Sequence, residues 1–110
     1  MNVITLLGRL CSDVDVRNTS TGKVLAKARI AAKDWQKTVF VDLTLWGPRA
    51  EAFAKYHEKG DMCCVSGRLS MDEWEDRNGG KRSKLYVTVN DWSFTGSKKG
   101  ETPGKEEVPF

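Results

Sequence analysis

The chain has 110 residues, of which 39% are hydrophobic and 30% are charged, a composition typical of a soluble globular protein. This length predicts one domain with a single modest core. No apolar run approaches the roughly 20 residues needed to cross a bilayer, and the N-terminus lacks a signal-peptide pattern, so we expect a cytoplasmic protein with no membrane partner.

Charge is distributed unevenly along the chain. Positions 1–100 hold 17 Lys and Arg residues against 12 Asp and Glu residues, a balance of +5, whereas positions 101–110 hold one Lys against three Glu, a balance of −2. A mildly basic body favours a polyanionic partner, and an acidic tail favours a different one.

The cysteines predict neither a disulfide framework nor a metal site. Cys11, Cys63 and Cys64 read as reduced thiols, and the two adjacent ones are typical of packing within a strand. A zinc site needs four ligands at usable spacing, and His57 is the only further candidate, without a CxxC motif. We therefore expect no metal and no cofactor, and we interpret His57 as a helix residue at the edge of the core.

The first predicted strand is a β-rich run over residues 2–11. It contains Gly8, which is expected where a strand bends or bulges. Turn composition follows over residues 18–22.

Two alternating strands come next, joined by the short polar segment 34–37. In residues 23–33, small or branched apolar side chains alternate with a polar phase that includes Lys27, Arg29 and Lys33. Residues 39–47 alternate in the same way, and the inner phase consists of Val39, Val41, Leu43 and Leu45.

One helix is predicted over residues 47–60, because Pro48 suits a first helical turn and Gly60 suits a C-terminal stop. A fourth strand over residues 61–74 has an inner phase of Cys63, Val65, Leu69 and Met71. The hairpin turn 76–82 leads into a fifth strand over 83–94, whose inner phase is Leu85, Val87 and Val89.

Five strands with one helix between the third and fourth match the all-β oligonucleotide/oligosaccharide-binding barrel (OB-fold), a partly open Greek-key barrel. Trp92 and Phe94 leave the last strand, and we expect them to cap the barrel or to enter a subunit contact. From Gly96 onward the sequence holds almost no apolar residues until its end, which predicts a disordered acidic tail.

Four large aromatic side chains stand in the outward phases of the predicted strands, among polar or basic residues: Trp35, Phe40, Trp46 and Trp74. Such a surface suits unpaired nucleic acid, because every base can stack on an aromatic ring for about 1–3 kcal/mol while cations follow the phosphates. The candidate phosphate contacts are Arg9, Lys27, Arg29, Lys33, Lys37 and Arg68. The alternative is that these aromatics form cross-strand pairs or are covered by a subunit.

The order strand, "WG", helix, "KG", "VSGRL", together with "MNVITLLGRL" at the start and "EEVPF" at the end, resembles the bacterial-type single-stranded DNA-binding protein family. The resemblance covers nearly the whole chain. It implies an OB-fold that wraps single-stranded DNA around a homo-oligomer, usually a homotetramer, and serves replication, recombination and repair at the nucleoid. The family's stacking aromatics correspond to Trp35, Phe40, Trp46 and Trp74.

The chain also departs from the family pattern. Phe40 stands where tryptophan is common and Trp46 where phenylalanine is common, and both exchanges keep an aromatic face. The connection that carries Trp35 is much shorter than the usual loop. Asp72 and Glu73 stand where relatives are often basic, which should weaken phosphate attraction locally. The linker before the tip is short, as in a compact, phage- or plasmid-borne member.

The predicted organisation is a DNA-binding domain over residues 1–95, a short flexible linker over 96–105 and an acidic tip over 106–110. The tip suits a basic-rimmed apolar pocket on a replication or repair protein, and its residues are Glu106, Glu107, Val108, Pro109 and Phe110. The alternative is a tail that only keeps the protein in solution.

Three other function classes fit the sequence less well than single-stranded DNA binding. A purely protein-binding barrel would have no need of "EEVPF" at its end. RNA binding would require contacts to the 2′-hydroxyl, which no motif reveals. An enzyme is disfavoured, because no paired carboxylates, nucleophile–base pair or phosphate loop is evident.

Overall fold

The computed structural model describes residues 1–94, which form six strands and one helix. The elements are β1 (Ile4–Leu10), β2 (Asp15–Asn18), β3 (Val24–Asp34), β4 (Lys37–Trp46), α1 (Pro48–Tyr56), β5 (Met62–Glu75) and β6 (Lys81–Phe94). The predicted linker 96–105 and tip 106–110 lie outside the described residues.

The strands form one sheet in the order β1-β5-β6-β4-β3-β2, and an additional pairing of β1 with β3 closes it into a barrel. Neighbouring strands are antiparallel except β4 and β6, which pair in parallel. A mostly β chain with its helix between β4 and β5 is consistent with the predicted OB-fold.

The strand count differs from the prediction, because β2 was not predicted. This strand pairs only with the first part of β3, from Asp15–Lys27 to Asn18–Val24, and it lies outside the closed ring. All four of its residues are exposed, so no buried phase marks it in the sequence. The predicted turn is present directly after it, where the Gly22 N–H donates to the Thr19 carbonyl at 2.9 Å.

The core lies inside the barrel and is built from the inner phases of five strands together with α1. Its largest fully buried side chains are Phe53, Leu10, Ile30, Leu43, Leu45, Val65, Val87 and Cys63. The alternation in the sequence therefore correctly indicated which face of these strands is apolar. One exception is Val39 of the predicted inner phase, which is half-exposed near the start of β4. Cys63 is buried in this core, and Cys64 faces the other side of β5, partly exposed.

Helix α1 begins at Pro48, as predicted, and buries Ala50 and Phe53. The helix ends at Tyr56, before the predicted stop at Gly60, so His57 follows the helix and does not belong to it as predicted. His57 is buried, with its ring stacked on that of Phe53 at a centroid distance of 4.2 Å. Trp92 is partly buried against the same cluster, edge-on to Phe53 at 5.7 Å. The side chain of Phe94 lies outside the described residues.

Two strand glycines are required by close approach of neighbouring backbone. A Cβ on Gly8 would lie 2.3 Å from the Ala31 carbonyl oxygen, where β1 crosses to β3. A Cβ on Gly67 would lie 2.0 Å from the Thr88 carbonyl oxygen, at the register shift between Ser66 and Gly67 in β5. Both glycines let the strands bend tightly around the core.

The β5–β6 hairpin extends beyond the core. Leu69, Met71 and Leu85 have the predicted inner phase, yet each is exposed. The reason is that β4 pairs with β6 only at Leu43–Val87 and Thr44–Thr88. The outer part of the hairpin therefore extends past the closed barrel and has no core to pack against. Among residues 1–94, no helix is long and apolar enough to span a membrane.

Candidate nucleic-acid interface

The strand registers align the outer phases of β3, β4, β6 and β5 into one continuous outer face. Between β3 and β4, Lys27 lies opposite Thr44 and Arg29 lies opposite Asp42. Thr44 is then paired with Thr88 of β6. The β6–β5 pairs continue this face as Thr88–Arg68, Tyr86–Ser70, Lys84–Asp72 and Arg82–Trp74.

A groove of about 340 Å³ runs along the middle of this face. We call it the outer groove, and it is lined by Ser12, Asp13, Asp15, Lys27, Ala28, Arg29, Asp42, Leu43, Thr44, Asp72, Lys84 and Tyr86. Four carboxylates and three cations line it, so the groove itself is not strongly basic. Its volume exceeds that of a single base.

Trp35 lies in the two-residue turn between β3 and β4 and is 91% exposed. Its backbone φ is +55°, a left-handed conformation that hairpin turns normally give to glycine, asparagine or aspartate. A tryptophan held there is left almost fully exposed by the part of the chain that the structure describes. The side chain is therefore presented to solvent at the tip of the hairpin.

Phe40 stands on β4 opposite Ala31 and is half-exposed. The guanidinium carbon of Arg29 lies 5.6 Å from the centroid of its ring, within the range of a cation–π contact. An aromatic face and a cation thus lie side by side on the outer face. This is the pairing that suits one base and its phosphate.

Trp46 and Trp74 are also half-exposed. Trp46 is six residues further along β4, roughly 20 Å away at the rise of a strand, and borders shallow depressions with Lys23 and Gly22. Trp74 lies near the end of β5 opposite Arg82, beside Lys81. Phe40 and Trp46 are therefore too far apart to form one contiguous stacking surface.

Asp42 is the electrostatic centre of the outer groove. Its Oδ1 lies 3.5 Å from Nε of Arg29, and its Oδ2 lies 2.5 Å from Nζ of Lys84. One carboxylate on β4 thereby joins cations from β3 and β6. The Arg29 guanidinium contacts the Phe40 ring as well, so Asp42 is connected to the aromatic face through Arg29.

A second carboxylate in the outer groove has a neutral partner. The Tyr86 hydroxyl donates to Oδ1 of Asp72 at 3.2 Å. Partial burial, followed by this hydrogen bond, raises the pKa of Tyr86. The phenol therefore remains a hydrogen-bond donor throughout the neutral pH range.

Comparison with known proteins identifies the family. The profile of the single-strand binding protein family matches residues 1–95. The chain belongs to this family. Over 90% of its length it is 37% identical to single-stranded DNA-binding protein 1 of Synechocystis, covering 87% of that protein. Over 96% of its length it is 34% identical to the single-stranded DNA-binding protein of Wolinella succinogenes, covering 70% of that protein.

Membership of the single-strand binding protein family confirms the resemblance found in the sequence. The family is one of non-enzymatic DNA-binding proteins, which also confirms the prediction that the chain is not an enzyme. Within residues 1–94, no three His, Cys, Asp or Glu side chains are grouped so that they could hold a metal ion.

The predicted phosphate contacts of this family member fall into three groups. Lys27 and Arg29 line the outer groove. The exposed cations outside it are Lys33 and Lys37 near the β3–β4 turn and Arg68 opposite Thr88. Arg9 differs from the others, because its Nη1 donates to the Gly60 carbonyl at 2.7 Å and so holds the loop after α1 to β1.

Asp42, Lys84 and Tyr86 are among the outer-groove residues that sequence reasoning did not select as site residues. The alternation indicated the outward direction of all three. Val41 and Leu43 of the inner phase flank Asp42, and inner-phase Leu85 and Val87 imply that Lys84 and Tyr86 face outward. Arg82, opposite Trp74, follows from the same alternation.

Proposed function

We propose that this chain binds single-stranded DNA without reading its sequence and protects it during replication, recombination and repair. The carrying observation is the outer face, on which exposed aromatics are interleaved with cations and Arg29 lies over the Phe40 ring. Duplex DNA hides its base faces, so such a surface favours unpaired strands. The names of the relatives from Synechocystis and Wolinella support the same ligand.

In this proposal the bases stack on Trp35, Phe40, Trp46 and Trp74. Phosphates lie near Lys27, Arg29, Lys33, Lys37 and Arg68, with Arg9 a weaker contact because it is bonded to Gly60. The spacing of the aromatics suits a strand that follows the outer face and stacks one base at a time. No hydrogen-bond readout of base edges is required.

The test is a titration of the full chain with oligo(dT), followed by tryptophan fluorescence, with a duplex of the same length as the control. We expect quenching by the single strand, much weaker binding of the duplex, and a fall in log K with log salt of about 0.7 per phosphate neutralised. The double variant Trp46→Ala and Trp74→Ala should bind more weakly and remain folded. Equal binding of duplex and single strand would contradict the proposal.

We further propose that the chain assembles as a homotetramer. Within the described residues, Ile4–Leu7 of β1 pair with β5 on one side only, which leaves a strand edge open. Several apolar side chains are also exposed on the single chain: Leu7, Leu69, Met71 and Leu85. Light scattering should give four times the chain mass of 12.3 kDa, and a monomer mass would contradict the assembly.

We also propose that the protein is cytoplasmic and associated with the nucleoid, and that its tail recruits other proteins there. Residues 1–95 bind DNA, 96–105 connect this domain to the tip, and 106–110 recruit replication or repair proteins. Deleting 106–110 should leave oligo(dT) binding intact and abolish retention of those proteins on DNA coated with the chain. Unchanged retention would refute recruitment through the tip without affecting DNA binding.

A further inference from the structure

We propose that the Asp42 carboxylate competes with DNA phosphates for the same cations. In the free protein it forms ion pairs with Arg29 and Lys84, and it thereby sets the affinity and salt dependence of single-stranded DNA binding. This inference rests on the proposed function, since it concerns how the same face attracts DNA. It assigns to Asp42 a role opposite to that of the neighbouring cations.

The geometry makes Asp42 a substitute for a phosphate. Its two carboxylate oxygens lie 3.5 Å from Nε of Arg29 and 2.5 Å from Nζ of Lys84. A phosphate group offers the same cations two oxygens in a similar arrangement. The two cations come from strands on either side of β4, so the carboxylate bridges across the outer groove.

Exposure shows that the bridge is open to a competing ligand. The side chains of Arg29 and Lys84 are 56% and 57% exposed, whereas that of Asp42 is 28% exposed. The cations can therefore turn toward a strand in solution while the carboxylate stays at the base of the groove. Partly exposed ion pairs contribute little to stability, so exchanging the partner carries a small penalty.

Charge leads to the same conclusion. Arg29, Lys84 and Asp42 together carry +1, where the two cations alone would carry +2. A phosphate arriving here meets one unit of positive charge less, as well as a carboxylate that repels it. Removing the carboxylate should allow one more phosphate to be neutralised, which steepens the fall of log K with log salt by about 0.7.

The primary variant is Asp42→Asn, which keeps the shape of the side chain and removes its charge. We expect about 5- to 10-fold tighter binding of oligo(dT) near 50 mM salt and a steeper salt dependence, with the gain shrinking at high salt. The thermal unfolding midpoint should stay within a few degrees of the parent. Unchanged or weaker binding would overturn the proposal; weaker binding would show that Asp42 instead positions Arg29 over Phe40.

The matched control is Asp72→Asn. Asp72 lies in the same groove, directly opposite Lys84 in the β5–β6 register, but it accepts a hydrogen bond from the neutral Tyr86 hydroxyl. The two variants remove the same charge at a similar position. A clearly smaller gain for Asp72→Asn supports displacement of Asp42 from its cations, whereas an equal gain would show a general field effect and overturn the proposal.

A double-mutant cycle with Lys84→Met tests the coupling directly. If the ion pair with Asp42 keeps Lys84 from binding phosphate, Lys84 contributes less to DNA binding in the parent than in the Asp42→Asn variant. The Lys84→Met change should therefore reduce affinity less in the parent than in the Asp42→Asn background. Equal costs in both backgrounds would contradict competition. Failure of the parent chain to bind oligo(dT) would instead refute the proposed function, so the two failures are distinguishable.

Discussion

Asp76 binds Arg82 across the turn of the β5–β6 hairpin, with Oδ2 of the carboxylate 3.0 Å from Nε of the guanidinium. The same carboxylate accepts from the backbone N–H groups of Asn78 and Gly80 at 2.9 and 2.8 Å. Arg82 lies opposite Trp74 in the β5–β6 register, so Arg82 connects the turn to an aromatic residue of the outer face.

We expect the hydrogen bonds that hold this turn to be lost at acidic pH, when Asp76 is protonated. The Gly80 hydrogen bond, followed by the Arg82 contact, lowers the pKa of Asp76 from its usual 3.8. Because the native pKa is lower than the unfolded value, the stabilisation is present above pH 3.8 and is lost as pH falls through the native pKa. The amide NMR resonances of Asn78 and Gly80 should titrate together with a midpoint below 3.8.

The control for this titration is Asp76→Asn, which cannot change charge. The amides of Asn78 and Gly80 should then show no shared transition in the acid range. A midpoint at or above 3.8 in the parent chain would contradict the role given to the Asp76 hydrogen bonds.

The Phe40 ring is expected to contribute to DNA binding through its aromatic face. Because the side chain is half-exposed, Phe40→Leu should leave the fold intact while removing the face that stacks a base and contacts Arg29. We expect a loss of about 1–3 kcal/mol in oligo(dT) binding, measured by titration. Phe40→Trp is the control and should bind as tightly as the parent; equal weakening of both variants would argue against stacking.

Variants of Trp35 can distinguish an effect on DNA binding from an effect on stability, because the positive φ at this position is costly for tryptophan and alanine but not for glycine. Trp35→Ala keeps the strained backbone and loses the ring, whereas Trp35→Gly loses the ring and relieves the strain. Both variants should weaken oligo(dT) binding to the same extent. In denaturant unfolding, the Gly variant should be about 1 kcal/mol more stable than the Ala variant. Unequal binding losses would show that the backbone, rather than the ring, matters for DNA.

The sequence predicted the inner faces of the barrel because each of those strands buries one phase. Alternation identified residues such as Ile30, Leu43 and Val87, and Pro48 marked the start of the helix. The same logic could not find β2, since a strand with no buried face has no alternating pattern. It also could not show that Leu69 and Leu85 extend past the core, because alternation carries no information about where the neighbouring strand ends.

The candidate site was predictable in its residue types and not in its pairings. Outward phase alone identified Phe40 and Trp46 as surface aromatics. The contact of Asp42 with Lys84, however, depends on the parallel pairing of β4 with β6, which are separated in the chain by α1 and β5. Such a pairing follows from the closed topology and cannot be read from either strand by itself.

Gly67 is expected to tolerate no side chain. A Cβ there would lie 2.0 Å from the Thr88 carbonyl oxygen, and both partners are backbone in adjacent strands. Gly67→Ala should destabilise the chain by about 1–3 kcal/mol or more in thermal unfolding. The neighbouring Ser66→Ala loses only an exposed hydrogen bond to Thr5 and serves as the control; similar midpoints for both variants would contradict the close approach.

Cys63 and Cys64 are adjacent in sequence but should react very differently with alkylating reagents. Burial, followed by the nearby Cys64 and Asp61, raises the pKa of Cys63 to about 12. Because the thiolate is the nucleophile, Cys63 holds almost none of the reactive form at pH 8. Iodoacetamide should leave Cys63 unmodified in the native protein, as read by peptide mass spectrometry, and modify it after unfolding in guanidinium. Comparable native rates for Cys63 and the partly exposed Cys64 would show that β5 opens readily, although it is paired with β1 on one side and β6 on the other and Cys63 is buried.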